Sequence, residues 1–159
     1  MVSELQEQAG YVVPRQRMDT RRSAPELHRA MLALDAAISF DPPLRELVRL
    51  RASILNGCTY CIQLHTQDAL KAGEQPHRLF AVAAWEEAPF FDARERAAFR
   101  FTDAVTHLHE GHVPDDVWLE AADHFAEAEL AELLFAVVAI NGLNRLAIAT
   151  RKTPPAPRS

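Results

Sequence analysis

The feature that most constrains the fold is a long segment near the C-terminus in which apolar residues occupy almost every position. From about 127 to 149 the pattern fits one helix, and between Leu133 and Ile140 it is apolar nearly all round. Such a helix is expected at the centre of a bundle, covered by other helices. Asn141, Asn144 and Arg145 interrupt the run and would be costly in the middle of a bilayer. The segment therefore predicts a buried core helix rather than a membrane span.

Six further stretches repeat apolar residues at spacings of three and four, which is typical of amphipathic helices. Proline, glycine, asparagine and aspartate mark their ends. The predicted helices cover about 25–38, 42–55, 58–73, 77–85, 92–108 and 115–125. No stretch offers a convincing strand, so the sequence predicts an all-α fold of about six or seven helices. We expect an N-terminal arm over 1–25, one helical domain over 26–150 and a flexible proline-rich tail over 151–159.

Charge and cysteine content narrow the functional class. The net charge is −5 and the basic residues are scattered, which argues against a nucleic-acid surface. The first 25 residues contain no continuous apolar stretch, so they do not resemble a secretory signal. We therefore predict a cytoplasmic protein without nucleic-acid or membrane partners. Its two cysteines would be held there as a dithiol unless an oxidant intervenes.

The two cysteines and one histidine share a helix face. Cys58, Cys61 and His65 recur at spacings of three and four, so they lie close together around the helix axis. A thiol is reactive as its thiolate, and both a helix N-terminus and a neighbouring imidazole favour that ion. The spacing therefore predicts a redox centre. His65 favours Cys61 as the better activated thiol, whereas Cys58 would be the more exposed to a reductant, so the order of attack stays open.

Residues on either side of this motif are placed to support it. Glu46 lies on the preceding helix, which Asn56-Gly57 allows to turn back, so its carboxylate can orient His65 and accept protons. Ser53 can add a hydrogen bond to that relay. Tyr60 is interpreted either as a pocket-lining residue or, by preference, as packing.

Other interpretations of these and further residues are set beside the redox centre. Cys58, Cys61 and His65 could be part of a zinc site, but no fourth ligand stands at a completing spacing; two thiols could also be buried core residues. Three further groups are interpreted as structural. The aromatic residues could line an apolar substrate cleft, but a core or subunit contact is preferred. The histidines could bind a metal, but solvated surface is preferred. The amides and the arginine are interpreted as a buried polar network with Glu132, or a carboxylate from another helix, as a partner. These groups are Trp85, Phe90 and Phe91; His107, His109 and His112; and Asn141, Asn144 and Arg145.

The motif as a whole resembles a known family. Glu46, Ser53, Cys58, Cys61 and His65 match the glutamate, serine and Cys-x-x-Cys-x-x-x-His core of the AhpD-like alkylhydroperoxidases, within the carboxymuconolactone decarboxylase superfamily. The match is strongest over 42–74. Tyr60 stands where the best-characterised peroxidases carry a histidine.

The resemblance implies an activity and an assembly. One cysteine would reduce a hydroperoxide and become a sulfenic acid, the other would resolve it as a disulfide, and Glu46 and His65 would relay protons, without cofactor or metal. Family members are all-helical homo-oligomers, trimers or hexamers, and some are re-reduced by a lipoyl-bearing protein. A non-catalytic redox-sensing or structural role, or a lyase or decarboxylase activity, remains open beside the peroxidase.

Overall fold

All regular structure in residues 14–154, the part of the chain that the computed structural model describes, is helical. This confirms the all-α prediction, and seven of the eight α-helices lie where amphipathic stretches predicted them. They are α1 Thr20–Ser23, α2 Pro25–Ala37, α3 Pro42–Leu55, α4 Thr59–Lys71, α5 Pro76–Ala81, α6 Ala93–Thr106, α7 Asp115–His124 and α8 Glu127–Thr150, with 3-10 turns at Val82–Ala84 and Leu108–Glu110. The short α1 was not predicted.

A tight turn between α3 and α4 places the candidate site. Pro42 and Pro43 start α3 with the fixed φ that a first helical turn needs, and the Asp41 side chain accepts a hydrogen bond from the Leu44 amide. At the other end Gly57 adopts φ +67°, a conformation that favours glycine. The chain then reverses, and the Cys58 amide donates to the Ser53 carbonyl over 2.9 Å. Helices α3 and α4 therefore run side by side, with residues 46 and 65 facing each other.

The core lies on either side of α3. One cluster joins α3 to α6, α7 and α8, and a second joins α3 to α4, α5 and the segment before α6. Trp85 and Phe91 belong to the second cluster and are each 6% exposed, as the core interpretation predicted. Phe90 lies outside it and is 44% exposed. Trp85 and Phe91 therefore serve packing rather than a substrate cleft, whereas Phe90 contacts the His77 ring near the surface.

Helix α8 is only partly covered by the other described helices. In the part of the chain that the structure describes, it is the one helix long and apolar enough to cross a membrane. Leu133, Val137 and Ile140 are fully buried, whereas Phe135 and Val138 are each about half exposed on the other side. The expectation of a helix surrounded on all sides is thus too strong, because the other helices of one chain cover a single face. The predicted homo-oligomer and cytoplasmic location stay predictions.

The described ends of the chain meet at the C-terminus of α8. The Arg17 amide donates to the Thr150 carbonyl over 2.8 Å, and the Arg17 guanidinium donates to the Ala149 carbonyl over 3.1 Å. The Lys152 amide closes the helix by donating to the Ala147 carbonyl over 2.9 Å. Parts of the predicted arm and tail, 1–13 and 155–159, lie outside the described residues, and the predicted domain boundaries stay predictions.

Candidate active site

The N-terminal end of α4 brings the two cysteines together. Cys58 is the residue that caps α4, and Cys61 follows in the first turn of the helix. Their sulfur atoms lie 2.6 Å apart, and both thiols are free. Both residues are buried, at 2% and 4% exposed. The arrangement is a dithiol at the positive end of a helix dipole.

The two thiols have opposite pKa shifts. The hydrogen bond with the Cys61 side chain lowers the pKa of Cys58 to about 7 although burial opposes it, and the Cys61 amide and the Lys152 charge add to the lowering. The same contact, together with burial, raises the pKa of Cys61. Above about pH 7 the pair therefore holds a single negative charge, centred on Cys58 and stabilised by the Cys61 thiol.

A buried chain of charged groups begins one turn further along α4. His65 Nδ1 lies 2.9 Å from Glu46 Oε2, and both side chains are largely buried. The other Glu46 oxygen accepts from Arg49, and the Arg49 guanidinium also donates to Asp35 Oδ1 over 2.6 Å. Burial raises the pKa of Glu46, but the hydrogen bonds and charges of His65 and Arg49 outweigh it and hold this pKa below its ordinary value. Glu46 is therefore ionised and can stabilise a proton on His65.

Sequence reasoning missed Arg49, although its spacing from Glu46 was a usable signal. The two residues are three apart on one helix, where an acid and a base pair naturally. Arg49 is 6% exposed, and a buried guanidinium needs carboxylate partners. Glu46 and Asp35 provide them.

Behind the sulfur atoms lies a network of buried polar side chains. Ser53 Oγ donates to the Arg49 carbonyl over 2.7 Å and accepts from Asn144 Nδ2 over 3.1 Å. The Asn56 side-chain nitrogen Nδ2 donates to the side-chain oxygens of Asn141 and Asn144, each over 2.9 Å. Hydrogen bonding by Asn144 lowers the pKa of both cysteines. Ser53 thus supports the cysteines from behind rather than bonding to Glu46 or His65.

The polar network on α8 agrees with the structural interpretation of Asn141, Asn144 and Arg145, but its expected acidic partner was wrong. Arg145 donates to the Asn141 side-chain oxygen over 3.0 Å. Glu132 instead accepts from the backbone amides of Ser39 and Phe40, over 2.7 and 2.6 Å. It caps the turn between α2 and α3, several turns of α8 away from the network.

A cavity of about 250 Å³ opens beside Cys61 and His65. Tyr60 lines it, and Lys152 Nζ lies 4.0 Å from the centre of the Tyr60 ring. Cys58 is not among the lining residues, so the sulfur that faces the cavity is that of Cys61, contrary to the expectation that Cys58 would be the more exposed. The other lining residues come from α1, α2, α4, α8 and the segment after it: Thr20, Arg21, His28, Leu32, Asp35, Leu64, Ile140, Leu143, Leu146, Ala147 and Thr150.

Several of these lining residues were invisible to sequence reasoning. Thr20 Oγ1 lies 3.0 Å from His28 Nδ1, which joins α1 to α2 at the rim of the cavity. Thr20 falls in the predicted arm and Lys152 in the predicted tail, so neither was assigned to a site. The one signal was the basic residues close to both ends of the helical domain, Arg21 and Arg22 before it and Arg151 and Lys152 after it.

The histidines around the end of α6 form no metal centre. His107 and His109 lie 3.7 and 3.5 Å from the Glu110 carboxylate on an exposed 3-10 turn. Within residues 14–154 no group of three or more histidine, cysteine, aspartate or glutamate side chains is arranged to hold a metal ion. The solvated-surface interpretation of these histidines fits their position.

Comparison with known proteins points to one family. Residues 25–104 match the model of the carboxymuconolactone decarboxylase family. The chain is 33% identical to the uncharacterized protein YdfG of Bacillus subtilis over 137 residues, which is 84% of this chain and 93% of YdfG. Both measures cover the segment that carries the cysteines, Glu46 and His65.

Solved structures share the fold. A protein of unknown function from Agrobacterium tumefaciens, named as a candidate antioxidant defence protein AhpD, superposes with a TM-score of 0.88 and 30% identity, over 90% of this chain and all of that one. The debrominase Bmp8 superposes with a TM-score of 0.77 and 21% identity, over 95% of this chain and 82% of that one. At that lower identity the likeness to the debrominase concerns the fold alone.

Proposed function

Because the chain belongs to the carboxymuconolactone decarboxylase family, we propose that it is a dithiol peroxidase in which Cys58 and Cys61 reduce a hydroperoxide. One observation carries the proposal: Cys61 of a free dithiol and His65 of a buried Glu46–His65 pair line the same cavity. A dithiol supplies two electrons, which is what cleavage of one O–O bond requires. The likeness to a candidate AhpD antioxidant protein supports the same assignment.

The first step is attack on the peroxide by Cys61, the sulfur that faces the cavity. The proton shared between the two sulfur atoms passes from Cys61 to Cys58, which leaves the Cys61 thiolate. That thiolate attacks the terminal peroxide oxygen, so an S–O bond forms and the O–O bond breaks. His65 gives its proton to the departing alkoxide, and the products are an alcohol and the sulfenic acid of Cys61.

The second step closes a disulfide. The Cys58 sulfur lies beside that of Cys61, so it attacks the sulfenic acid without movement of α4. An S–S bond forms, the S–O bond breaks, and the Cys58 proton leaves with the hydroxide as water. A dithiol reductant, such as a lipoyl-bearing protein, then returns two electrons and two protons by thiol–disulfide exchange.

Glu46 acts through His65 rather than on the substrate. Its carboxylate binds Nδ1, so Nε2 is the ring nitrogen left for proton exchange with the reacting groups. An ionised carboxylate beside the ring stabilises the imidazolium that donates to the alkoxide. Glu46 is therefore a positioning residue, and His65 is the general acid.

Thiol counting tests the proposal. Reduced protein is mixed with one equivalent of cumene hydroperoxide, and free thiols and cumyl alcohol are measured. The wild type should lose two thiols per alcohol formed. The C61S variant should form little alcohol, whereas C58S should form one alcohol and stop at a sulfenic acid that dimedone traps.

The same experiment separates the rival functions. A redox sensor or structural member would form the disulfide but would not turn over with dithiothreitol or a lipoyl carrier in excess. A lyase or decarboxylase would keep its activity after both cysteines are replaced by serine. Peroxide reduction that continues in the double serine variant would overturn the proposal.

A further inference from the structure

The rim of the cavity carries an excess of positive charge. Arg21 and Lys152 both line it, and they approach from opposite ends of the chain. Asp35 contributes the one carboxylate among the lining residues. That carboxylate is bound over 2.6 Å to the Arg49 guanidinium, which it shares with Glu46, so its charge is partly offset and Arg21 and Lys152 outnumber it.

The two cations have no acidic partner within the described residues. The ion pairs of residues 14–154 include neither the Arg21 guanidinium nor the Lys152 ammonium. Lys152 is half-buried and lies over the Tyr60 ring, which orients its ammonium without cancelling its charge. The negative charge that it acts on is that of the cysteine pair, which leaves Arg21 without an opposing charge in the described part of the chain. The backbone hydrogen bond from Lys152 to the Ala147 carbonyl fixes the residue at this place. Positive charge is therefore held next to the opening.

Much of the remaining cavity wall is of the opposite character. Leu64, Leu143 and Leu146 line it, together with Leu32 of α2. A volume of about 250 Å³ holds an organic molecule of small to moderate size. An apolar body fits the wall, and an anionic group fits the rim.

We propose that the substrate of this cavity is an amphipathic anion, an apolar molecule whose carboxylate is bound by Arg21 and Lys152 while its reacting end faces Cys61. The inference rests on the proposed function in that it takes the cavity as the substrate site. Its test measures binding in the absence of peroxide. Loss of turnover would count against the peroxidase proposal, whereas loss of anion selectivity would count against this inference.

Binding of an inert matched pair provides the test. Titration calorimetry at low salt compares 4-isopropylbenzoate with the neutral 4-isopropylbenzamide, which has the same apolar body. The reduced wild type should bind the acid about tenfold more tightly than the amide. K152Q and R21Q should each reduce that preference by roughly threefold or more, and 0.5 M KCl should weaken it as well.

The chain offers a control for each variant. Arg22 and Arg151 carry the same charge as their neighbours Arg21 and Lys152 but do not line the cavity. R22Q and R151Q therefore change the net charge equally and should leave the preference unchanged. Equal binding of acid and amide by the wild type, or equal loss in the control variants, would overturn the inference.

A second probe reads the charge at the sulfur itself. Iodoacetate and iodoacetamide both react with the same thiolate, forming an S–C bond and releasing iodide, so their rate ratio is independent of the thiol pKa. The ratio of the iodoacetate rate to the iodoacetamide rate should be higher for the wild type than for glutathione. K152Q should lower that ratio roughly threefold. An unchanged ratio in K152Q would show that Lys152 does not act on anions at this site.

Discussion

At the scale of single residues, the site works by balancing buried charge. The dithiol carries one negative charge close to Lys152, and Glu46 carries another between His65 and Arg49. Each charge has a hydrogen-bond donor within reach, so none is left unpaired in a medium where that would cost several kcal/mol. The reactivity of the cysteine sulfur atoms therefore depends on the side chains that bond to them. Removal of one of these side chains should shift the thiol pKa in a predictable direction.

The pKa of Cys58 should depend on Cys61. Because this pKa is lowered to about 7, the thiol is ionised above that pH and protonated below it. The rate of iodoacetamide alkylation of the wild type should therefore rise through about pH 7. In C61A the midpoint should move up by at least one unit, because the largest stabilising hydrogen bond is gone. T59A, an exposed change next to the pair, should keep the wild-type midpoint; a C61A profile like that of the wild type would contradict the prediction.

Arg49 should contribute more to stability at neutral than at acid pH. The pKa of Glu46 is lowered in the folded protein, so its stabilising effect is present above the unfolded value and is lost as the pH falls through the folded value. R49M leaves the Glu46 and Asp35 carboxylates without their cation. We expect a loss of about 3–5 kcal/mol of unfolding free energy at pH 7.

Urea unfolding at pH 7 and pH 4 measures this loss, which should be smaller at pH 4. The double variant E46Q/R49M should recover part of the stability, because the uncompensated charge is removed. R29M serves as the control, since Arg29 and its partner Glu26 are mostly exposed, and it should change stability by less than about 0.5 kcal/mol. Equal losses at both pH values would argue against a charge effect.

At the scale of elements, α3, α4 and α8 form one unit around the sulfur atoms. The turn at Gly57 sets α4 against α3, and α8 closes the unit with buried amide side chains beside a small apolar cluster that includes Ile140 and Ala147. Asn144 is fully buried and bonds to Ser53 and Asn56. The joint between the three helices is therefore polar and specific, which an apolar joint would not be.

Replacement of Asn144 by alanine should loosen this joint. Ser53 would lose a donor but keeps the Arg49 carbonyl, and Asn56 would lose an acceptor but keeps Asn141 and the Ala52 carbonyl. The cost is therefore that of the lost hydrogen bonds, about 0.5–1.5 kcal/mol each. The pKa of both cysteines should rise, because hydrogen bonding by Asn144 lowers them. Thermal unfolding and iodoacetamide rates measure the two effects. I148A, on the exposed side of the same helix, should leave both nearly unchanged; a stable N144A variant with normal thiols would contradict the role.

The elements that could be predicted are those with a local signal. Apolar spacing located α3, α4 and α8, and Asn56-Gly57 marked the reversal that brings Glu46 to His65. The helical turn at Thr20–Ser23 has no apolar repeat. It is capped by the Asp19 side chain, which accepts a hydrogen bond from the Arg21 amide. Lys152 is placed by a backbone bond to α8 and by the ring of Tyr60. Contacts between residues so distant in sequence leave no trace in a periodic pattern.

At the scale of the whole molecule, the two described ends of the chain form one wall of the cavity. Thr20 and Arg21 line the cavity from the N-terminal end and Lys152 from the C-terminal end. The bond from the Arg17 amide to the Thr150 carbonyl ties these two ends together and satisfies a carbonyl at the end of α8. Access to Cys61 therefore depends on a contact between the two ends of the domain.

The Arg17 amide can be removed without changing the cavity lining. R17P lacks the N–H group that binds Thr150, whereas R17A keeps it and loses only the guanidinium contact with Ala149. If the backbone bond holds the wall in place, R17P should react several times faster than the wild type with a bulky reagent such as N-phenylmaleimide, while R17A should stay close to the wild type. The loss in unfolding free energy for R17P should be about 1 kcal/mol, too little to unfold the domain. Equal rates in R17P and R17A would assign the closure to the side chain, and wild-type rates in both would mean that the wall does not control access to the sulfur.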